Sequence, residues 1–167
     1  MTDNFSDWIV TYDGKLYKLP APVSEFVADG WVINEKESKM VIDGRGYGRV
    51  ELRKDNQKVR VSVNNYSENA TAVTNCFMTN VLSDSYDAKI PLIIAKGITI
   101  GMPEAEVKAA IDGEDVEEDD SSSYHQYKVR SADSRTFWYD IYINKESGNV
   151  YKIEVQYDPR YRDFVNE

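Results

Sequence analysis

The chain has 167 residues, of which 41% are hydrophobic and 12% are aromatic, and this composition argues against intrinsic disorder. The formal net charge of −9 would repel phosphate backbones and so argues against nucleic acid as a partner. No apolar run reaches the roughly 18 residues that a membrane-spanning helix needs.

Two hairpins are predicted in the first half of the chain. The dipeptide Asp13-Gly14 separates two short strand-like runs, which is a strong signal for a two-residue turn. Residues 47–53 and 59–63 form a second pair of strand-like runs, joined by the polar segment 54–58. Residues 72–82 carry apolar side chains on both faces and are predicted to form one longer strand that is covered on both sides.

One helix pattern occurs twice, with a proline at its start, an apolar stripe at i, i+3 and i+4 spacing, and a closing glycine. The two stripes are Val23, Phe26 and Val27 in the first copy, and Val107, Ala110 and Ile111 in the second. Each copy precedes several strand-like runs. The sequence therefore predicts an α+β fold of two helix-on-antiparallel-sheet halves in tandem. The halves are residues 1–85 and 86–167, joined in one compact unit, with Phe26 and Val107 in equivalent buried positions.

Three strands with clean alternation are predicted near the C-terminus, at residues 124–130, 136–143 and 150–157. Their odd-numbered apolar positions are assigned to the core, and these are Tyr127, Val129, Phe137, Tyr139, Ile141, Ile143, Tyr151, Ile153 and Val155. The preceding segment 112–120 is dense in carboxylates and is interpreted as a solvated loop. The tail after Pro159 is expected to be loosely held.

The run Gly97-Ile98-Thr99-Ile100-Gly101-Met102, followed by a short acidic helix, an acidic gap and tyrosine-rich strands, resembles the repeat of β-lactamase inhibitory proteins and related small exported lipoproteins. The resemblance is best over residues 90–157. It implies tandem units of a helix packed on an antiparallel sheet, which bind other proteins through the open sheet face and loops and do not catalyse a reaction. This chain differs in having Pro103 where that family commonly has Ser or Thr, and in lacking paired cysteines. The resemblance implies an exported setting and transfers no target.

Catalysis and metal binding are the alternative functions. Alternation places His125, the sole histidine, beside Tyr127, which favours a partly buried strand histidine over a catalytic triad or a zinc ligand. Cys76, the sole cysteine, is predicted to be buried and unreactive. The acids of segment 112–120 lack EF-hand spacing, so neither a metal site nor a cofactor is predicted. A carboxylate-dependent hydrolase and a calcium-dependent structural module stay open as alternatives.

The strongest binding candidate is the even-numbered face of the three C-terminal strands. Trp138 and Tyr142 lie there, and such large rings gain nothing in water unless a partner covers them. Four further residues give this face the composition of an interface hot spot: Tyr124, Lys128, Arg130 and Asp140. The alternative is that the other half of the chain or its tail covers this face. We predict a non-enzymatic module that binds another protein, of unknown identity, through this aromatic sheet face.

The expected location is a bacterial cell surface or the extracellular space. The N-terminal run Met1-Thr2-Asp3-Asn4-Phe5 has neither a basic n-region nor an apolar h-region, so no signal peptide is predicted in it. An export signal or a lipid anchor would then precede residue 1 in the native protein. A cytoplasmic location stays open as the alternative.

Overall fold

A computed structural model describes residues 2–131 and 134–159, and for residues 131 and 134–136 it describes the backbone alone. The fold is mostly β, with four antiparallel sheets that include a half-barrel. Within the described residues it has two α-helices, both short. The prediction of an α+β fold with two helix-on-antiparallel-sheet halves in tandem is therefore wrong. The tail predicted after Pro159 lies outside the described residues.

The helices are α1 (Val23–Ala28) and α2 (Glu104–Ile111). The strands in chain order are β1 (Ile9–Tyr12), β2 (Lys15–Lys18), β3 (Ala21–Pro22), β4 (Val32–Ile33), β5 (Val41–Ile42), β6 (Tyr47–Lys54), β7 (Gln57–Asn64), β8 (Thr71–Ala72), β9 (Phe77–Met78), β10 (Asn80–Asp84), β11 (Leu92–Ile93), β12 (Asp115–Asp120), β13 (Tyr124–Ser131), β14 (Ser134–Asn144) and β15 (Val150–Gln156). Short 3-10 turns occupy Phe5–Asp7, Glu35–Glu37, Val73–Asn75 and Ala95–Gly97.

The helices are too short to cover a sheet, which explains why the helix-on-sheet prediction fails. α1 has 6 residues and α2 has 8, so neither completes three turns. Each helix buries two side chains of its predicted stripe, Val23 and Phe26 in α1, and Val107 and Ile111 in α2. Phe26 and Val107 are fully buried, as predicted, whereas Val27 is exposed.

The chain divides into two compact units, each built from two separate stretches of sequence. The first unit contains the described residues of 1–18 and 82–156, and the second contains those of 19–81 and 157–167. The boundary predicted from the sequence lies after residue 85. The three-stranded sheet β11-β1-β2 and the five-stranded sheet β10-β15-β14-β13-β12 build the first unit. The five-stranded sheet β3-β9-β7-β6-β4 and the pair β5-β8 build the second.

In the second unit, the hairpin of β6 and β7 supplies much of the core. Its turn residues Asp55 and Asn56 have φ of 48° and 65°, the left-handed conformation that a two-residue hairpin turn requires. The strands pair in the register Val50↔Val61 and Leu52↔Val59, and they bury a run of aliphatic side chains: Val50, Leu52, Val59, Val61 and Val63. This hairpin confirms the one predicted across residues 54–58.

The single long strand predicted over residues 72–82 is wrong. A 3-10 turn at Val73–Asn75 interrupts the run, and β8, β9 and β10 share the remainder. Four apolar side chains of this run are nevertheless buried: Val73, Cys76, Met78 and Val81. Phe77 and Leu82 are half-buried, and Ala72 is exposed. Cys76 is buried, as predicted, and burial raises the pKa of its thiol, which keeps it in the unreactive thiol form.

In the first unit, the predicted hairpin at Asp13-Gly14 is confirmed. Both turn residues have positive φ, 51° for Asp13 and 77° for Gly14, and they join β1 to β2. The other side of β1 pairs with β11, about 80 residues later in the chain (Tyr12↔Leu92). The alternation of the five-stranded sheet buries Tyr127, Val129, Tyr139, Ile141, Ile143, Ile153 and Val155 on one face.

The acidic segment interpreted as a solvated loop is instead largely a strand. β12 (Asp115–Asp120) pairs antiparallel with β13 and is the last strand of its sheet. Five of its six residues are exposed, and Val116 is half-buried opposite Val129. Charged side chains on an edge strand discourage pairing with another sheet, which gives this composition a structural reason.

Two odd-numbered positions assigned to the core, Phe137 and Tyr151, are half-buried. Tyr151 departs from the prediction because of a β-bulge: Tyr142 pairs with Lys152, whereas the next residue of β14, Ile143, pairs with Val150. Tyr151 is the extra residue in this register, so the inward position passes to Val150, which is buried. A strict alternation rule cannot anticipate an inserted residue.

Candidate protein-binding face

The candidate site is one face of the five-stranded sheet, which we call the even face. It comprises ten of the even-numbered side chains of β13, β14 and β15: Tyr124, Gln126, Lys128, Arg130, Trp138, Asp140, Tyr142, Lys152, Glu154 and Gln156. Residues that pair directly across β13, β14 and β15 form three rows on this face: Arg130↔Trp138↔Gln156, Lys128↔Asp140↔Glu154 and Gln126↔Tyr142↔Lys152. The structure therefore brings together all six residues that the sequence singled out.

Trp138 is half-buried and is fixed by two neighbours. The Lys128 ammonium nitrogen lies 4.6 Å from the centroid of its ring, in cation–π contact. The Trp138 side chain also interacts with the Asp140 carboxylate, and this interaction acts to lower the pKa of Asp140. The ring is thus held in one orientation while part of it stays in solvent.

Asp140 lies at the centre of the even face and is 6% exposed. Its Oδ1 accepts a hydrogen bond of 2.6 Å from the Gln126 amide. Burial raises the pKa of the Asp140 carboxyl, while the Gln126 hydrogen bond and the nearby Lys128 charge act in the opposite direction. The Asp140 carboxyl thus holds the Gln126 side chain in place at the centre of the even face.

Tyr142 and Tyr124 form an aromatic pair beside Asp140. Their ring centroids are 5.4 Å apart, with an interplanar angle of 68°. The Gln126 amide also donates to the Tyr142 hydroxyl at 3.2 Å, and Lys152 lies over the Tyr142 ring at 5.1 Å. Burial raises the pKa of Tyr142 further above its usual range, so its hydroxyl stays protonated and can donate a hydrogen bond.

Arg130 lies towards the acidic edge of the even face. Its guanidinium forms an ion pair with the Glu117 carboxylate of β12. Arg130 therefore connects the outermost strand to the aromatic centre. The aromatic rings themselves are contacted by the ammonium groups of Lys128 and Lys152.

The carboxylates of β12 diverge because strand side chains alternate. Pairing with β13 places Asp115, Glu117 and Asp119 on the even face, and Glu118 and Asp120 on the opposite one. Within residues 2–131 and 134–159, no group of three or more His, Cys, Asp or Glu side chains could hold a metal ion.

A cluster outside the predicted site joins α2 to the sheet. The Tyr127 hydroxyl donates to Glu104 Oε1 at 2.7 Å, and His125 Nδ1 lies 2.8 Å from the same oxygen. His125 Nε2 lies 3.2 Å from Glu118 Oε2, and only a protonated imidazole can donate to both carboxylates at once. The His125 side chain is 19% exposed, which confirms the prediction of a partly buried strand histidine.

This cluster predicts a pH-dependent contribution to stability. The Tyr127 hydrogen bond, then those of His125 and the Lys108 charge, lower the pKa of Glu104. Ionised Glu104 therefore stabilises the fold above its unfolded-state pKa of about 4.3, and this stabilisation is lost as the pH falls through the folded-state pKa. We expect the difference in Tm between the wild type and Glu104→Gln to be fully developed above about pH 5 and to shrink by pH 3, measured by circular dichroism.

Glu106→Gln is the matched control for this measurement, because Glu106 is an exposed residue of the same helix. We expect that variant to follow the wild type at every pH. A Glu104→Gln difference that persists unchanged down to pH 3 would contradict the assignment.

Gln126 and Lys152 contribute to the site, although they are not among the six residues that the sequence singles out. The alternation pattern places both residues on the even-numbered face. Neither glutamine nor lysine is among the residue types enriched in protein interfaces, so composition alone does not single them out. Tyr151 was assigned to the core, and no local signal marks the bulge that brings its ring within 6.1 Å of Tyr142.

Comparison with known proteins gives no relative: no family model, curated protein or solved structure matches the chain. The resemblance to β-lactamase inhibitory proteins thus remains a prediction, and its implied fold is not the one observed. No α-helix in the part of the chain that the structure describes is long and apolar enough to cross a membrane.

Proposed function

We propose that the protein is a non-enzymatic binding module whose even face docks another protein. One observation carries this proposal: Trp138, Tyr142 and Tyr124 lie together on one sheet face, partly exposed, and each ring contacts another side chain of that face. Rings that are already held in place lose little side-chain entropy when a partner covers them. Aromatic anchors of this kind dominate the binding energy of protein interfaces.

The charges around the rings suit a protein partner. Lys128, Arg130 and Lys152 surround the aromatic centre, and the carboxylates of β12 border it on one side. A border of mixed charge around an aromatic centre is the usual composition of a protein interface, where the border contributes orientation and rate of association. We place this module at a bacterial cell surface or outside the cell, following the sequence resemblance.

The proposal predicts that Trp138→Ala weakens partner binding by about 2 kcal/mol or more, because that residue is the largest ring of the face. The immobilised protein is used to capture partners from cell-envelope extracts, and the retained protein is identified by mass spectrometry. Its affinity for the wild type and for Trp138→Ala is then measured by calorimetry, together with the Tm of both proteins.

Tyr47→Ala is the matched control, because Tyr47 is an aromatic residue of β6 that is 73% exposed and lies in the other unit. A partner lost with Trp138→Ala and kept with Tyr47→Ala supports the proposal. A large loss of Tm in Trp138→Ala with unchanged capture shows that Trp138 is a core residue, and the proposal then fails.

A further inference from the structure

Four tyrosine rings form a continuous row that begins on the even face. Successive ring centroids are 5.4 Å apart from Tyr124 to Tyr142, 6.1 Å from Tyr142 to Tyr151, and 5.8 Å from Tyr151 to Tyr86. These residues belong in turn to β13, β14, β15 and the segment that follows β10, which is also the order of these strands in the sheet. The tyrosine row therefore runs across the strands.

The ring orientations limit the kind of ligand that the tyrosine row suits. Neighbouring planes are inclined by 68°, 62° and 54°, so the rings do not form a flat platform. The face of a sugar ring or of a nucleobase stacks best on coplanar rings. Inclined rings instead present ridges and shallow grooves, the surface on which the ridged polyproline II helix docks in aromatic-lined peptide sites.

A cavity of about 450 Å³ lies at the Tyr86 end of the row. Its apolar lining includes Ile100 and Val150 together with the rings of Tyr86 and Tyr151. Glu146 is the charged residue in the lining, and it is exposed. An apolar wall with one carboxylate at its edge is complementary to the long stem and the cationic end of an arginine or lysine side chain.

We propose that the tyrosine row binds a proline-rich peptide segment that carries a terminal arginine or lysine, with the prolines on the rings and the basic side chain in the cavity beside Glu146. This inference rests on the proposed protein-binding function and names the chemistry of the partner. The three centroid-to-centroid distances of the row together span about the length of six polyproline II residues, which rise about 3.1 Å each. The cation is attracted to Glu146 and to the chain as a whole, whose net charge is −9.

The donors that such a peptide needs lie along the row. A polyproline II segment makes no internal hydrogen bonds, so its carbonyl oxygens must be satisfied by solvent or by the partner. The Tyr142 hydroxyl stays protonated, and burial also raises the pKa of Tyr151. Asn144 Nδ2 donates to the Tyr86 hydroxyl at 3.3 Å, which helps to orient the outermost ring of the row.

The test uses calorimetry with the intact chain and synthetic peptides. One pair of peptides has six prolines and a single arginine, placed at the N-terminus in one peptide and at the C-terminus in the other. A second pair has glutamate in the same two positions, and cellohexaose is the carbohydrate comparison. We expect the arginine peptides to bind at least about fivefold more tightly than the glutamate peptides, and cellohexaose not to bind. Glu146→Gln is expected to remove most of the preference for arginine, because the carboxylate supplies the attraction.

Tyr86→Ala tests the row with little risk to folding, because the side chain is 62% exposed. We expect it to weaken the arginine peptides about tenfold, since a docking ring is lost. Tyr86→Phe is the matched variant and is expected to keep most of the affinity. Absence of peptide binding, binding that Tyr86→Ala does not change, or binding of cellohexaose in place of the peptides would overturn the inference.

Failure of this inference is separable from failure of the proposed function. If the peptides do not bind while a captured partner is lost with Trp138→Ala, the even face binds a protein of another chemistry. If the peptides bind and respond to Tyr86→Ala, the tyrosine row is a peptide site whatever the Trp138 variant does.

Discussion

Replacing Tyr139 with alanine is expected to lower the free energy of unfolding by about 4 kcal/mol, the usual cost of removing a buried aromatic side chain. Tyr139 is 1% exposed. Its ring stacks on Trp8 at a centroid distance of 4.8 Å and an angle of 5°, and meets the Phe5 ring edge-on at 5.0 Å. Its hydroxyl donates to the Phe5 carbonyl at 2.7 Å. One side chain thus attaches the N-terminal segment to the central strand of the five-stranded sheet.

The measurement is urea unfolding followed by circular dichroism, with Tyr139→Phe as the matched variant. Phenylalanine keeps both ring contacts and removes only the hydroxyl, which leaves a buried carbonyl without this donor, so we expect a loss of about 1–2 kcal/mol. The difference between the two variants isolates the ring contacts. An alanine variant that loses less than the phenylalanine variant would show that the N-terminal segment does not depend on this residue.

The local elements that the sequence predicts well are those set by neighbouring residues. Asp13-Gly14 adopts the left-handed turn because an Asp-Gly pair tolerates positive φ, and the flanking runs pair as expected. Alternation in β13 and β14 correctly separates Tyr127 and Ile141 from the even face, because one face of the sheet is buried. The six candidate residues meet on one face for the same reason.

The arrangement of the strands could not be predicted, because it depends on pairings between residues distant in sequence. β1 pairs with β11, and β3 with β9, and no local pattern specifies such partners. The repeated proline–glycine pattern correctly predicts two helices. Both are too short to cover a sheet, so they do not divide the fold into two helix-on-sheet halves. The acidic composition of β12 favours a loop by propensity, and pairing with β13 overrides that preference.

The second large effect is expected at Asn65, whose side chain organises the loop between β7 and β8. Asn65 is 3% exposed, and in the sequence it is conspicuous only as part of an Asn-x-Ser triplet. Its amide nitrogen lies 3.1 Å from the Ile42 carbonyl, 3.1 Å from the Asp43 carbonyl and 2.8 Å from the Asn69 carbonyl. Its Oδ1 accepts from the Ser67 backbone N–H at 2.9 Å and from the Ser67 hydroxyl at 2.6 Å.

The backbone around this amide has no room to rearrange. A Cβ added at Gly44 would lie 1.9 Å from the Glu68 carbonyl oxygen, so the two loop segments are in direct backbone contact there. The Arg45 N–H donates to the Ser67 carbonyl at 2.8 Å, and the Asn65 N–H donates to the Gly46 carbonyl at 2.9 Å. Because these segments are fixed against each other, the groups that Asn65 satisfies cannot easily find other partners.

Asn65→Ala is therefore expected to lower the free energy of unfolding by about 3–4 kcal/mol, since the buried Ile42 carbonyl and the part-buried Asp43 and Asn69 carbonyls lose this donor together. Asn65→Asp keeps the size of the side chain, but an ionised carboxylate cannot donate to the three carbonyls, so at pH 7 we expect a loss at least as large. Asn69→Ala, an exposed substitution in the same loop, is the control and should stay within about 0.5 kcal/mol of the wild type. Urea unfolding of the three variants checks this order, and a stable Asn65→Asp protein at pH 7 would show that the amide donors are not what holds the loop.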